Sequence, residues 1–89
     1  MRGYRPLRRS DVKVRVVEGE TVVLDRKGKL IHQLNQTASY IWHRCDGESS
    51  VADIANEVGQ AFEADPETAE RDVALIVEKL RNLNLIDVD

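Results

Sequence analysis

Two histidines and one cysteine are the side chains of this 89-residue chain best suited to nucleophilic or metal chemistry: His32, His43 and Cys45. A thiolate and an imidazole side by side would make a nucleophile or half of a metal site. His43 and Cys45 stand two apart in a stretch with helical spacing, which turns them about 200° away from each other. They cannot hold one metal together. Cys45 continues the apolar stripe of Ala38, Ile41 and Trp42, so a buried, inert thiol is expected. His43 falls beside Arg44 on the outer side of that helix and is expected in solvent. His32 shares the inward face of a strand with Leu30 and Leu34, where a partly buried and hydrogen-bonded imidazole is expected. The chain has no glycine-rich phosphate loop, no paired Cys or His at metal spacing and no nucleophile elbow. The carboxylates of "EADPETAERD" suit a helix start, where they favour the dipole. Asp72 and Lys79 lie on one side of the same helix as a solvated face. These features describe a protein that is not an enzyme and holds no cofactor or metal.

The elements that carry these residues follow from periodicity. "VKVRVVEG" alternates through Val12, Val14 and Val16, and "TVVLD" is rich in β-branched residues, so a hairpin is predicted with Gly19 at positive φ. "DRKGK" turns the chain again, with Gly28 suited to a left-handed position. In "KGKLIHQLNQTASYIWHRCDG", residues 27–47, the apolar period changes from two to helical at Asn35. A strand over 29–34 therefore runs into a helix over 36–45 through one capping residue. Ser49 or Ser50 caps a second helix with the stripe Val51, Ile54, Ala55, Val58 and Phe62. Asp65-Pro66-Glu67 starts a third, which runs to about Asn82 with Ala69, Val73, Ile76, Val77 and Leu80 inward. Leu83, Leu85 and Ile86 fold back onto the core. The order predicts an α+β domain, a three-stranded antiparallel meander followed by three helices, over 12–89. Residues 1–11, with four arginines, Pro6 and little apolar content, are expected to form a flexible basic arm.

Length and composition narrow the function classes. A chain of this size supports one small core. No apolar run is long enough for a membrane span, the N-terminus lacks a signal-peptide core, and one cysteine suits a cytoplasmic protein. The net charge of −3 divides unevenly: +5 over residues 1–29 and −8 over residues 30–89. Three helices beside a small sheet suggest a winged helix, and a DNA-binding regulator is one alternative. The second helix has no Lys or Arg, however, and the third dilutes Arg71, Lys79 and Arg81 with acids. An acidic helical half is poorly equipped to neutralise phosphates.

A strand edge is the feature that remains. The strand over 29–34 ends the meander and carries no proline, so its outer side can accept a strand from another chain unless the third helix covers it. Leu75, an apolar residue between Asp72 and Lys79, suits a shallow groove beside that edge. Peptide binding, or another protein-interaction role, follows from this geometry.

Leu34, Asn35, Thr37 and Ala38, then Ile41-Trp42, Asp46-Gly47, Val51 and Ile54, together with "VEKLRNLNLI", resemble the PqqD family over about residues 12–86. The resemblance implies a winged-helix-like domain that captures the leader segment of a ribosomally made precursor peptide. It implies strand addition to Lys29, Leu30, Ile31, His32, Gln33 and Leu34, against a helix face of Asp72, Leu75, Ile76, Lys79 and Leu83. It further implies presentation of the peptide to a modifying enzyme, commonly a radical S-adenosylmethionine enzyme or a leader peptidase. Quinone-cofactor and lasso-peptide pathways use such domains. Neither nucleic acid nor membrane is an expected partner, and a homodimer is compatible with these features. His32 departs from the aromatic or apolar residue that relatives often carry, so packing of the strand is expected to differ there.

Overall fold

The computed structural model describes residues 4–87. Its elements are β1 (Leu7–Arg8), β2 (Lys13–Val17), β3 (Glu20–Asp25), β4 (Leu30–Leu34), α1 (Gln36–His43), α2 (Val51–Ala61), α3 (Pro66–Asn82) and β5 (Ile86–Asp87). Strands β2, β3 and β4 form an antiparallel meander in that order, and β1 pairs with β5 in a separate two-stranded ladder.

Each helix starts where the sequence supplies a cap. Asn35 accepts the amide of Ala38 at 2.8 Å, and Ser50 with Asp53 forms a reciprocal capping box. Asp65 precedes Pro66 at the first helical position and accepts from Thr68. Helix α1 ends at His43, two residues earlier than its apolar stripe suggests. Arg44 caps it, and Cys45 then turns to receive the Arg8 amide on its carbonyl at 2.8 Å.

The core collects Val23 and Leu34 from the sheet, Ile41 and Trp42 from α1, Ile54, Ala55 and Val58 from α2, and Ala69, Val73, Val77 and Leu80 from α3. Leu85 and Ile86 close it from the C-terminus. Phe62, expected on the buried stripe, is instead half-exposed at the end of α2 and meets Tyr40 edge to face at 5.4 Å. Strand β2 is exposed throughout, Val14 and Val16 included. Those valines share a face with buried Thr21 and Val23. Uncovered on that side, β2 overhangs as a wing.

The segment 1–11 differs from the expected flexible arm wherever it is described; residues 1–3 lie outside the described residues. Pro6 is buried, and its carbonyl accepts the amide of Gly47 at 2.9 Å. Leu7 and Arg8 pair with Asp87 and Ile86. Arg9 donates to Asp11 at 2.9 and 2.8 Å and to Asp25 at 2.9 Å. Its guanidinium holds the Asp25 carboxyl below the usual carboxylate range and the Asp11 carboxyl at about 2. The Gly28 amide adds to the effect on Asp25. Depressed folded values mean stability present above the unfolded carboxylate pKa, about 3.9, and lost as pH falls through the lower folded values. The melting temperature should therefore fall between about pH 4 and pH 2. Arg9→Ala should flatten that limb in a thermal series, and an unchanged slope would refute the linkage.

Two turns refine the sequence expectations. Glu18 and Gly19 both take positive φ, 52° and 80°. In the next loop the left-handed residue is Lys29, at 56°, rather than Gly28. At position 28 a Cβ would stand 3.0 Å from Asp25 Oδ2, a tight contact that the absence of a side chain avoids.

Candidate functional site

The catalytic candidates do not assemble. Cys45 is fully buried, its thiol contacts the Ile41 carbonyl at 3.2 Å, and burial pushes its pKa up to about 12. A thiol that stays protonated is a core residue. His43 is not solvated as expected. Its Nε2 lies 3.1 Å from Thr21 Oγ1, and its ring meets Trp42 edge to face. Burial first, then the charges of Arg8 and Arg44, lowers its pKa, so the ring ties α1 to β3 in the neutral form. Among the described residues no three His, Cys, Asp or Glu side chains gather where a metal could sit.

His32 is partly buried, as expected, but not satisfied. Its Nε2 is shielded from solvent and has no hydrogen-bond partner. The ring stands opposite Val23 on the inner face, between Leu30 and Leu34. Leu34 is buried, whereas Leu30, expected inward, is 52% exposed. The inner face of β4 thus opens progressively from its C-terminal end to its N-terminal end.

The turn at Glu18-Gly19 sets the phase of the whole sheet. Two central residues at positive φ make a type I′ turn, which closes on a mutually hydrogen-bonded pair, here Val17 and Glu20. Pairs then alternate, so Glu20, Val22 and Leu24 point their backbone groups at β2, and Thr21, Val23 and Asp25 point theirs at β4. Through the β3–β4 register, Leu34, His32 and Leu30 turn toward β3. Ile31 and Gln33 turn their N–H and C=O groups to the free edge. A hydrogen-bond relay agrees with this phase. Thr21 N–H donates to Ser39 Oγ at 2.8 Å, and Ser39 Oγ donates to the Leu34 carbonyl at 3.0 Å. The Ser39 hydroxyl is thus inserted in the last rung, on the β4 side of Thr21.

Beside this edge lies a cleft of about 200 Å³ between β4, the start of α1 and the second half of α3. Leu34, Ala38, Ile76, Leu80 and Leu83 give it an apolar lining, and Gln33, Asn35 and Lys79 give it polar groups. A drug-sized ligand needs about 300 Å³ or more, so this space suits one or two side chains of an extended chain. Lys79 is exposed and makes no ion pair. Leu75 is 64% exposed one turn before it, and Asp72 is exposed a turn further back. Of the residues singled out from sequence, the cleft brings together Gln33, Leu34, Ile76, Lys79 and Leu83. Lys29, Leu30, Ile31, His32, Asp72 and Leu75 stand outside its lining. It adds Asn35, Ala38 and Leu80, read from sequence as cap and core. Alanine at 38, small and in the first turn of α1, was the available sign of a recess.

Comparison with known proteins bears on this geometry. The family model for "Coenzyme PQQ synthesis protein D (PqqD)" matches residues 20–86. A lasso peptide synthetase B1, solved in complex with its leader peptide, is 28% identical, with a TM-score of 0.81 over 96% of this chain and 100% of that one. The PqqD truncation of Methylobacterium extorquens PqqCD, described as a functional stand-alone recognition element for ribosomally synthesised and post-translationally modified peptides, is 25% identical. Its TM-score is 0.73 over 93% of this chain and 88% of that one. TbiB1 in complex with the TbiA(beta) leader peptide shares the fold at 20% identity, with a TM-score of 0.81 over 93% and 96% of the two chains. No curated protein matches the chain in sequence.

Proposed function

Since the chain belongs to the family of coenzyme PQQ synthesis protein D, we propose that it is a non-catalytic recognition domain for the leader segment of a ribosomally made precursor peptide. The observation that carries this reading is the outward-facing backbone of Ile31 and Gln33, beside an apolar cleft closed by α3. The leader adds as a strand to β4, taking main-chain hydrogen bonds at positions 31 and 33. Alternate side chains of the leader then enter the cleft over Leu34, Ile76 and Leu83. Lys79 at the cleft favours an acidic neighbour to the buried apolar residue. Asp72 and Leu75 extend the helical wall along the peptide, and Lys29, Leu30 and His32 complete the strand side. Two of the similar structures hold leader peptides, which supports this reading. The bound leader is presented to a separate modifying enzyme, such as a radical S-adenosylmethionine enzyme or a leader peptidase.

Calorimetric titration with the cognate leader peptide tests the reading. Leu75→Asp should weaken the leader at least about tenfold, or 1.4 kcal/mol, because a charge replaces the apolar side chain on the helical wall along which the peptide lies. Its melting temperature should stay near that of the parent, since the side chain is 64% exposed. Main-chain pairing and apolar contact should lose little affinity between about 50 and 200 mM salt. A regulator gripping duplex DNA through several phosphates would lose about 10³-fold or more over that range. Full leader affinity in Leu75→Asp, or steeply salt-sensitive duplex binding, would overturn the assignment.

A further inference from the structure

The sheet has a second face that the peptide edge does not use. Residues opposite one another in the ladder share a face, so the outer side of the meander carries two rows across three strands. One row is Lys13, Leu24 and Ile31; the next is Arg15, Val22 and Gln33. Ile31 is 71% exposed, Val22 and Leu24 are only half-buried, and β2 is exposed along its length. Lys13, Val14, Arg15, Val22, Leu24 and Ile31 line a shallow depression of about 330 Å³.

We infer that this outer face is a docking surface for an acidic segment of a protein partner, one that carries apolar residues among its acids. Lys13 and Arg15 stand on the strand farthest from the helices, and neither side chain makes an ion pair or hydrogen bond. By contrast, Arg9 pairs with Asp25 and Lys27 with Asp11. Two unpaired cations flanking Leu24 and Ile31 match a segment in which acids and apolar residues alternate around one face. A second copy is disfavoured at this strand: antiparallel self-pairing of β2 about its middle would set Arg15 against Arg15. The face also continues into the edge described above. A peptide added to β4 would extend both rows by one residue each, beyond Ile31 and Gln33, so a partner seated here would touch the bound peptide. In that respect the surface depends on the strand-addition reading; its charge and shape do not.

Nuclear magnetic resonance of the nitrogen-15-labelled chain tests the inference with a synthetic probe. The probe is an amphipathic peptide of Leu and Glu at helical spacing, about five turns long, with a Leu and Lys peptide as control. The Glu probe should shift the amides of Lys13, Arg15, Val22, Leu24 and Ile31, and the Lys control should not. The double variant Lys13→Glu, Arg15→Glu should bind the Glu probe at least tenfold more weakly while keeping the parent affinity for the cognate leader. Shifts confined to the helices, equal response to both probes, or an unaffected double variant would overturn the inference. So would concentration-dependent self-association through these same amides, which would assign the face to a second copy. If the cognate leader fails to bind the parent chain while the Glu probe maps as expected, the strand-addition reading falls and this surface stands.

Discussion

Trp42→Ala should remove about 3–5 kcal/mol of stability, the range for truncating a large buried aromatic. A domain of this size has a total stability on the order of 5–15 kcal/mol, so the variant should be marginal or unfolded at room temperature. The expected loss has two parts. Trp42 is 1% exposed and fills the space between α1 and the C-terminal turn. Its indole N–H also donates to the Leu85 carbonyl at 3.0 Å, an acceptor shared with the Arg9 amide at 3.2 Å. Removing the ring therefore opens a cavity and loosens the point where α1, the N-terminal segment and the return after α3 meet. Trp42→Phe separates the two parts. It keeps most of the volume and should lose about 1–3 kcal/mol, the hydrogen bond and its orphaned partner contributing much of that. Denaturant titrations of the three proteins check the series. The parent, with its single Trp, should emit well to the blue of free tryptophan. An unchanged midpoint for Trp42→Ala would remove this residue from the core.

The burial of Trp42 was legible because it lies on a helical stripe, and local periodicity encodes which face is turned in; Cys45 is buried as expected, but in the turn beyond the end of α1. The helix starts were legible for a similar reason: Asn35, Ser50 and Asp65-Pro66 act within four residues of themselves. The N-terminal segment was not. Its four arginines and sparse apolar content resemble a solvated tail, and what orders it is pairing of Leu7 and Arg8 with residues nearly eighty positions away. No local pattern announces such a contact. His43 misled in another way, since its neighbour Arg44 is exposed and pairs with Glu57 while its own ring turns to Thr21 on β3. The strand edge was legible as an edge, from its place at the end of a meander. Its cleft was half legible. Ile76, Lys79 and Leu83 share a face of α3 by spacing, but Ala38 and Leu80 line the same space only because α1 and α3 converge there.

Which residues of β4 face the edge is a matter of ladder phase, and here the expected results divide sharply. Proline removes one N–H donor and fixes φ near −65°, which an edge tolerates and a paired position does not. At position 31 the lost donor is one that points outward, so Ile31→Pro should remain folded. The same substitution removes a rung from any strand added there and places a ring where that strand must approach. Leader affinity should fall at least about tenfold. At position 32 the lost donor is the one paired to Val23, a fully buried strand residue. His32→Pro should orphan a backbone carbonyl at a cost of about 1–3 kcal/mol, with the ring's distortion of the β3–β4 ladder in addition. It should melt well below the parent. Melting curves, tryptophan emission and leader titrations on both variants read this out. The reverse pattern, with Ile31→Pro unfolded and His32→Pro stable, would mean the ladder phase set by Glu18 and Gly19 is shifted by one residue. A folded Ile31→Pro with undiminished leader affinity would mean that the peptide does not pair with β4 at all. The contrast is informative because the two sites are adjacent and on one strand. Hydrophobicity, charge and distance from the cleft change little between them, and the direction of a single N–H changes completely.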